Sequence, residues 1–149
     1  MIKAKKKYNI SGVVTGALFS EYQASRIKKI CDKLNLKCFN PLWHKNQEEY
    51  MREIISKDYE IIFSSIAADG LSKEWLGKKI TTEDVNKLIK LNKKIGLNTA
   101  GEGGEFESLV LDCPLFKKEI KIEKSEIIME NEYTSKFIIK QAKLTSRNQ

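Results

Sequence analysis

Apolar positions along the chain change period several times. Ile10 to Leu18 (ISGVVTGAL) is a short apolar run rich in β-branched residues, and it predicts a buried strand. Ala24, Ile27, Ile30, Cys31 and Leu34 then fall at helical spacing, with Ser20 placed to cap the helix. Leu36 to Leu42 predicts a second short strand, followed closely by Trp43. Residues 46–57 predict a second amphipathic helix, its apolar face made by Tyr50, Met51, Ile54 and Ile55. Tyr59 to Ala68 (YEIIFSSIAA) is a third strand-like run. The order β-α-β-α-β predicts a parallel sheet with helical crossovers.

Beyond residue 70 the pattern changes. Residues 69–79 read as a loop with a short helical turn near 74–76. Thr81 or Thr82 caps a third helix over 83–94, with Val85, Leu88, Ile89 and Leu91 inward and Gly96 at its end. Residues 97–100 are short and apolar, and the glycines of 101–107 make a loop. Residues 108–113 are strand-like. Residues 119–129 and 137–144 alternate apolar and polar, as half-exposed antiparallel strands do. The expected fold class is therefore α/β. A partial parallel sheet over 10–70 is followed by a small mixed α+β region with antiparallel strands over 71–144. Residues 1–9 read as a basic, frayed or truncated approach, and 145–149 (TSRNQ) as a disordered tail.

Composition narrows the class. With 149 residues the chain is the size of one domain, able to bury a core without a disulfide or metal staple. No apolar run reaches the ~20 residues needed to span a bilayer, and no long apolar stretch follows the basic start, so no secretory signal is read. Cys31, Cys38 and Cys113 form no C-x-x-C pair, and with the single His44 they make a poor zinc set, so no metal site is expected. Sparse, odd cysteines fit a reducing cytoplasm. The net charge of +7 permits nucleic-acid binding. Its excess is mostly Lys, so an acidic protein or an anionic nucleotide explains it equally well, and nucleic acid is the less favoured partner.

Three stretches could carry chemistry. The densest is G-E-G-G-E-F-E at 101–107, followed by D-C-P-L-F at 112–116. Gly101, Gly103 and Gly104 allow close backbone approach to a ligand. Glu102, Glu105, Glu107 and Asp112 repel one another unless a cation, a basic wall or a raised pKa compensates. Phe106 within this acidic group is the surrounding a quaternary ammonium needs; a plain acidic turn between strands has the same composition. The second stretch is the strand-to-helix junction from Gly16 to Arg26. In a parallel sheet, Gly16, Ala17 and Ser20 line the rim beyond the strand ends, with Gln23 and Arg26 on one helix face. A solvated helix would carry the same Gln and Arg. The third is P-L-W-H-K-N-Q-E-E-Y at 41–50, where Trp43 serves as lip packing or binding platform and His44 lacks a visible partner. Cys113 has no placed base and reads as a buried thiol. No G-x-x-x-x-G-K-[ST], G-x-S-x-G or H-E-x-x-H occurs.

Taken together, these stretches resemble the diphthine–ammonia ligase family of N-type ATP pyrophosphatases, or PP-loop ATPases. The resemblance rests on V-V-T-G-A-L-F-S-E-Y-Q-A-S-R (13–26), P-L-W (41–43) with Glu49, L-S-K-E-W-L-G (71–77) and above all G-E-G-G-E-F-E-S-L-V-L-D-C-P-L-F (101–116). It implies a Rossmann-like sheet of the adenine-nucleotide alpha hydrolase type. It also implies a cytoplasmic ligase that converts diphthine on elongation factor 2 into diphthamide. Mg²⁺-bearing ATP would activate the diphthine carboxylate as an acyl adenylate, and ammonium would supply the amide nitrogen.

By this resemblance Gly16, Ala17, Ser20, Gln23 and Arg26 face the nucleotide. Trp43, Gly101, Gly103, Gly104, Phe106, Glu107, Ser108 and Asp112 form the diphthine side, and Glu102 or Glu105 binds or deprotonates ammonium. Ser108 stands where the family usually has Thr, which keeps the hydroxyl. The family's S-G-G-K-D-S phosphate loop is absent from these residues. The expectation is a C-terminal part that is inactive alone and completed by a further portion or partner chain, with an open sheet edge that invites a homo-oligomer. The alternative is a non-catalytic binding module, or a degenerate relative acting on a protein or RNA.

Overall fold

The computed structural model describes residues 1–147 and divides the chain into two compact units, Met1–Asn46 and Gln47–Gln149. Both mix helix and strand. Among the described residues no helix is long and apolar enough to cross a membrane.

The first unit contains α1 (Ile2–Tyr8), β1 (Gly12–Val14), α2 (Glu21–Lys33) and β2 (Lys37–Phe39). β1 and β2 pair in parallel, Gly12 opposite Lys37 and Val14 opposite Phe39, with α2 as the crossover. Ser20 caps α2, its hydroxyl accepting from the Gln23 amide at 3.4 Å. Cys31 on α2 is fully buried, and Ala17, Leu18 and Leu36 are buried as well. Two expectations need correction. Residues 1–9 are not a frayed approach, because Ile2–Tyr8 is a helix closed by Asn9 in the left-handed region. Its run of Lys and Ala favours helix but leaves no apolar stripe for a periodicity argument to find. The buried strand expected over 10–18 is only Gly12–Val14, and the paired Val14 and Phe39 are exposed.

The second unit contains α3 (Gln47–Ser56), β3 (Glu60–Ala67), a 3₁₀ turn (Lys73–Trp75), α4 (Thr82–Ile95), β4 (Phe106–Asp112), β5 (Lys118–Met129) and β6 (Thr134–Ser146). The strands form one antiparallel sheet in the order β4-β3-β6-β5. This is the main correction to the parallel β-α-β-α-β reading: β3 does not extend the parallel pair, which stops at two strands. Alternating elements reveal chain order but not strand partners. The apolar composition of β3, suited to a parallel strand, here serves the centre of an antiparallel sheet. β4 flanks it on one side. On the other, β6 pairs with Ser65–Ala67 only, and the segment after the 3₁₀ turn covers the rest, with Gly77 N–H donating to Phe63 at 3.0 Å and Ile80 N–H to Ile61 at 2.8 Å.

The core lies where β3, α3, α4 and the 3₁₀ turn meet. Phe63, Ile66, Trp75, Ile80, Val85, Leu88 and Met51 are buried there. Gly77 sits at φ +71°, and a Cβ on it would lie 2.3 Å from the Phe137 ring, so the chain passes that ring only as glycine. α4 begins with a reciprocal capping box between Thr81 and Asp84 and ends at Gly96 in the left-handed region. β5 and β6 form a long hairpin cross-braced by Lys140–Glu126 at 2.8 Å and Lys143–Glu123 at 2.6 Å. The hairpin corrects the expected tail. β6 runs through Ser146, Thr145 donates to Glu119 at 2.9 Å, and Arg147 pairs with Asp112 at 2.9 Å. Residues 148–149 of that expected tail lie outside the described residues.

Candidate functional site

The glycine-rich loop between α4 and β4 is organised by two side chains. Asn98 accepts from the Ala100 and Glu102 amides at 3.1 and 3.0 Å, the local turn chemistry of Asn. Glu105 accepts from the Asn98 amide at 3.0 Å through one carboxylate oxygen and from the Gly103 amide at 2.9 Å through the other. Gln47, at the start of α3, adds a bond from the Ala100 amide at 3.2 Å. Gly101 (φ +73°) has no room for a side chain, because a Cβ would lie 2.8 Å from the Phe106 ring. That ring is buried and stacked on Phe63 with centroids 4.0 Å apart. The loop is thus pinned below by an aromatic stack and crosslinked within by carboxylate and amide oxygens. Glu107 and Ser108 are exposed and Glu102 is half-buried.

The first unit offers a different surface. The loops that follow β1 and β2 are clipped together: the His44 amide donates to Leu18 at 2.9 Å, and the His44 ring stacks between Phe19 (5.2 Å) and Trp43 (4.8 Å). Gly16 has open space around it. Arg26 is exposed, hydrogen-bonded to the Tyr22 hydroxyl with its guanidinium 5.0 Å from that ring. A cleft of about 730 Å³ lies between α2 and β2, lined by Ala24, Lys28, Phe39, Asn40 and Trp43 among others. Its size suits a small molecule or nucleotide. The Asn40 side-chain oxygen is buried there without a hydrogen-bond partner.

Residues 46–144 match the family model described as the diphthamide synthase C-terminal domain. Mouse diphthine–ammonia ligase is 42% identical over 127 residues, and the human protein of that name 41% over 128, each covering 85% of this chain and 48% of the relative. The namesake from Schizosaccharomyces pombe is 42% identical over 120 residues, 80% of this chain and 20% of its own length. The chain belongs to the diphthine–ammonia ligase family. It spans about half the length of the mouse and human relatives it matches.

Against this family background, the residues expected on the diphthine side fall into two groups. Gly101, Gly103, Gly104 and Glu105 build the loop. Phe106 is taken up by the core, and Asp112 holds Arg147. Glu102, Glu107 and Ser108 are the members with solvent-facing surface, and Trp43 is half-buried in the other unit. The nucleotide-side residues Gly16, Ala17, Ser20, Gln23 and Arg26 sit together at the β1–α2 junction, with Ala17 buried and Gln23 and Arg26 exposed. None of them lines the 730 Å³ cleft. Sequence reasoning missed Asn98 and Gln47. An Asn just before a glycine loop is a readable turn signal, whereas Gln47 bonds across 53 positions and leaves no local mark. Among the described residues no group of three or more His, Cys, Asp or Glu could hold a metal ion.

Proposed function

We propose that this chain supplies the substrate side of an ATP-dependent amide ligase that converts diphthine on elongation factor 2 to diphthamide in the cytoplasm. The observation that carries the reading is its 41–42% identity, over 85% of its length, to proteins named diphthine–ammonia ligase. ATP is a substrate here, and its Mg²⁺ travels with the phosphates. The carboxylate of diphthine attacks the α-phosphate, pyrophosphate leaves, and ammonia displaces AMP from the acyl adenylate to give the amide.

The chain's residues divide that work. Glu105, bound to two backbone amides, positions the loop. Glu102 and Glu107 give it negative charge toward a cationic trimethylammonium or an ammonium ion; Trp43, in the first unit, is a separate aromatic candidate for a cation. A carboxylate beside ammonium can also accept the proton that frees ammonia as nucleophile. The β1–α2 junction serves the nucleotide in a Rossmann-like, PP-loop setting. The phosphate grip comes from an S-G-G-K-D-S loop that these residues do not contain.

The test is kinetic, in the protein purified from its own cells with whatever remains bound to it. ATP–pyrophosphate exchange reports adenylation, and amide formation on diphthine-bearing elongation factor 2 reports the whole reaction. Glu102→Gln is expected to slow amide formation more than exchange. Equal loss of both would assign the loop to the nucleotide. Absence of both activities, together with ATP-independent binding of elongation factor 2, would turn the chain into a binding module.

A further inference from the structure

Away from the glycine loop, the second unit carries an open groove of about 350 Å³ beside α4. Gly70, Trp75 and Leu91 make its apolar floor, and Lys87, Lys90 and Lys94 line its rim. Their spacing of three and then four residues puts the lysines on one helix face. Lys87 lies 3.5 Å from Asp84, but that carboxylate is already bound by Lys78 at 2.7 Å. Among the described residues no ion pair holds Lys90 or Lys94. Lys78 adds its ammonium 5.0 Å from the Trp75 ring centroid. The helix dipole explains a cation in the last turn, where Lys94 sits. It does not explain Lys87 and Lys90 bordering an apolar floor.

We propose that this groove docks an acidic polypeptide segment that carries one apolar anchor side chain. The ammonium row steers and holds carboxylates, and the floor takes the anchor out of water. A single-stranded nucleic acid shares the charge but needs exposed rings on which bases stack. Trp75 is only 8% exposed, which favours the peptide. The groove shares no residue with the 98–105 loop, so this proposal stands apart from the ligase reading.

The experiment is fluorescence anisotropy with a labelled peptide of glutamates around a single phenylalanine, paired with amide shift mapping by NMR. Saturable binding that perturbs Gly70, Trp75 and residues 87–94 is expected. The double variant Lys90→Glu, Lys94→Glu should weaken it by about tenfold, and the equal charge change Lys6→Glu, Lys7→Glu by less than about threefold. All four side chains are exposed, and circular dichroism checks that each variant folds. Absence of saturable binding, equal losses in the two double variants, or tighter binding of an oligouridylate in the same groove would overturn the proposal.

Discussion

The two units hold themselves together very differently. Met1–Asn46 buries four apolar side chains, Ala17, Leu18, Cys31 and Leu36, around a two-stranded sheet whose Val14 and Phe39 face solvent. Among its described residues the second unit, from Gln47 on, buries sixteen around a four-stranded sheet and two helices. Its loop residues are wired to one another and to that core. The β1–α2 junction is held by a helix cap and an aromatic stack and keeps open space at Gly16. The difference teaches that residues of one motif need not share one task. Where packing is dense, even acidic and aromatic residues become scaffold.

The harshest way to break this comparison is Phe63→Ala. Its ring is fully buried between Trp75 and Phe106, so the cavity should cost the second unit about 3–5 kcal/mol, read by denaturant unfolding with hydrogen exchange resolved by unit. Protection in β1 and β2 should stay as it was. A parallel loss there would show that the units unfold as one.

Glu105→Gln comes next. A side-chain amide cannot accept on both sides, so one of the two loop bonds is lost. Bonds to charged acceptors are worth about 1.5–3 kcal/mol, and exchange at the Asn98 and Gly103 amides should speed up accordingly. Unchanged protection at both amides would free Glu105 for a purely chemical role.

Much of this was legible in the sequence, and the remainder was not for physical reasons. The helices at 21–33, 47–56 and 82–95 announce themselves by 3.6-residue periodicity, and the caps Ser20, Thr81 and Gly96 by residue type. The pairing of β3 was hidden, because a strand buried at the centre of an antiparallel sheet has the composition of a parallel one. Among the loop residues, glycine and acid content marked the place but not the division of labour. Nothing local distinguishes Glu105, folded back on amides, from Glu102. Likewise Phe106 sits in an acidic run and reads as part of a cation cage, yet Phe63, forty-three positions earlier, claims its face.

A smaller effect sharpens the contrast from the other unit. Trp43→Ala should weaken diphthine binding by about 1–2 kcal/mol if its ring faces the trimethylammonium, with little change in stability because the side chain is half-buried. An unchanged affinity in a titration with diphthine-bearing factor would leave Trp43 as packing for His44.

The smallest expected effect concerns Asp84. Burial alone would raise its carboxyl, but hydrogen bonds from Lys78 and from the Thr81 amide and hydroxyl outweigh burial and hold it below the ordinary 3.8. A carboxyl held low in the folded state stabilises at pH values above 3.8 and loses that contribution as pH falls through its depressed folded value. Asp84→Asn should therefore cost about 1 kcal/mol near neutrality and progressively less in acid, measured by urea melts across pH. A constant penalty down to the acid limit would mean the cap does not depend on the charge.

The most direct test of the central claim is the mass of the diphthine-bearing peptide of elongation factor 2 in cells lacking this gene. Loss of the amide with accumulation of diphthine, restored by the intact gene and poorly by its Glu102→Gln variant, is the predicted result. Diphthamide at undiminished level in the deleted cells would contradict the assignment.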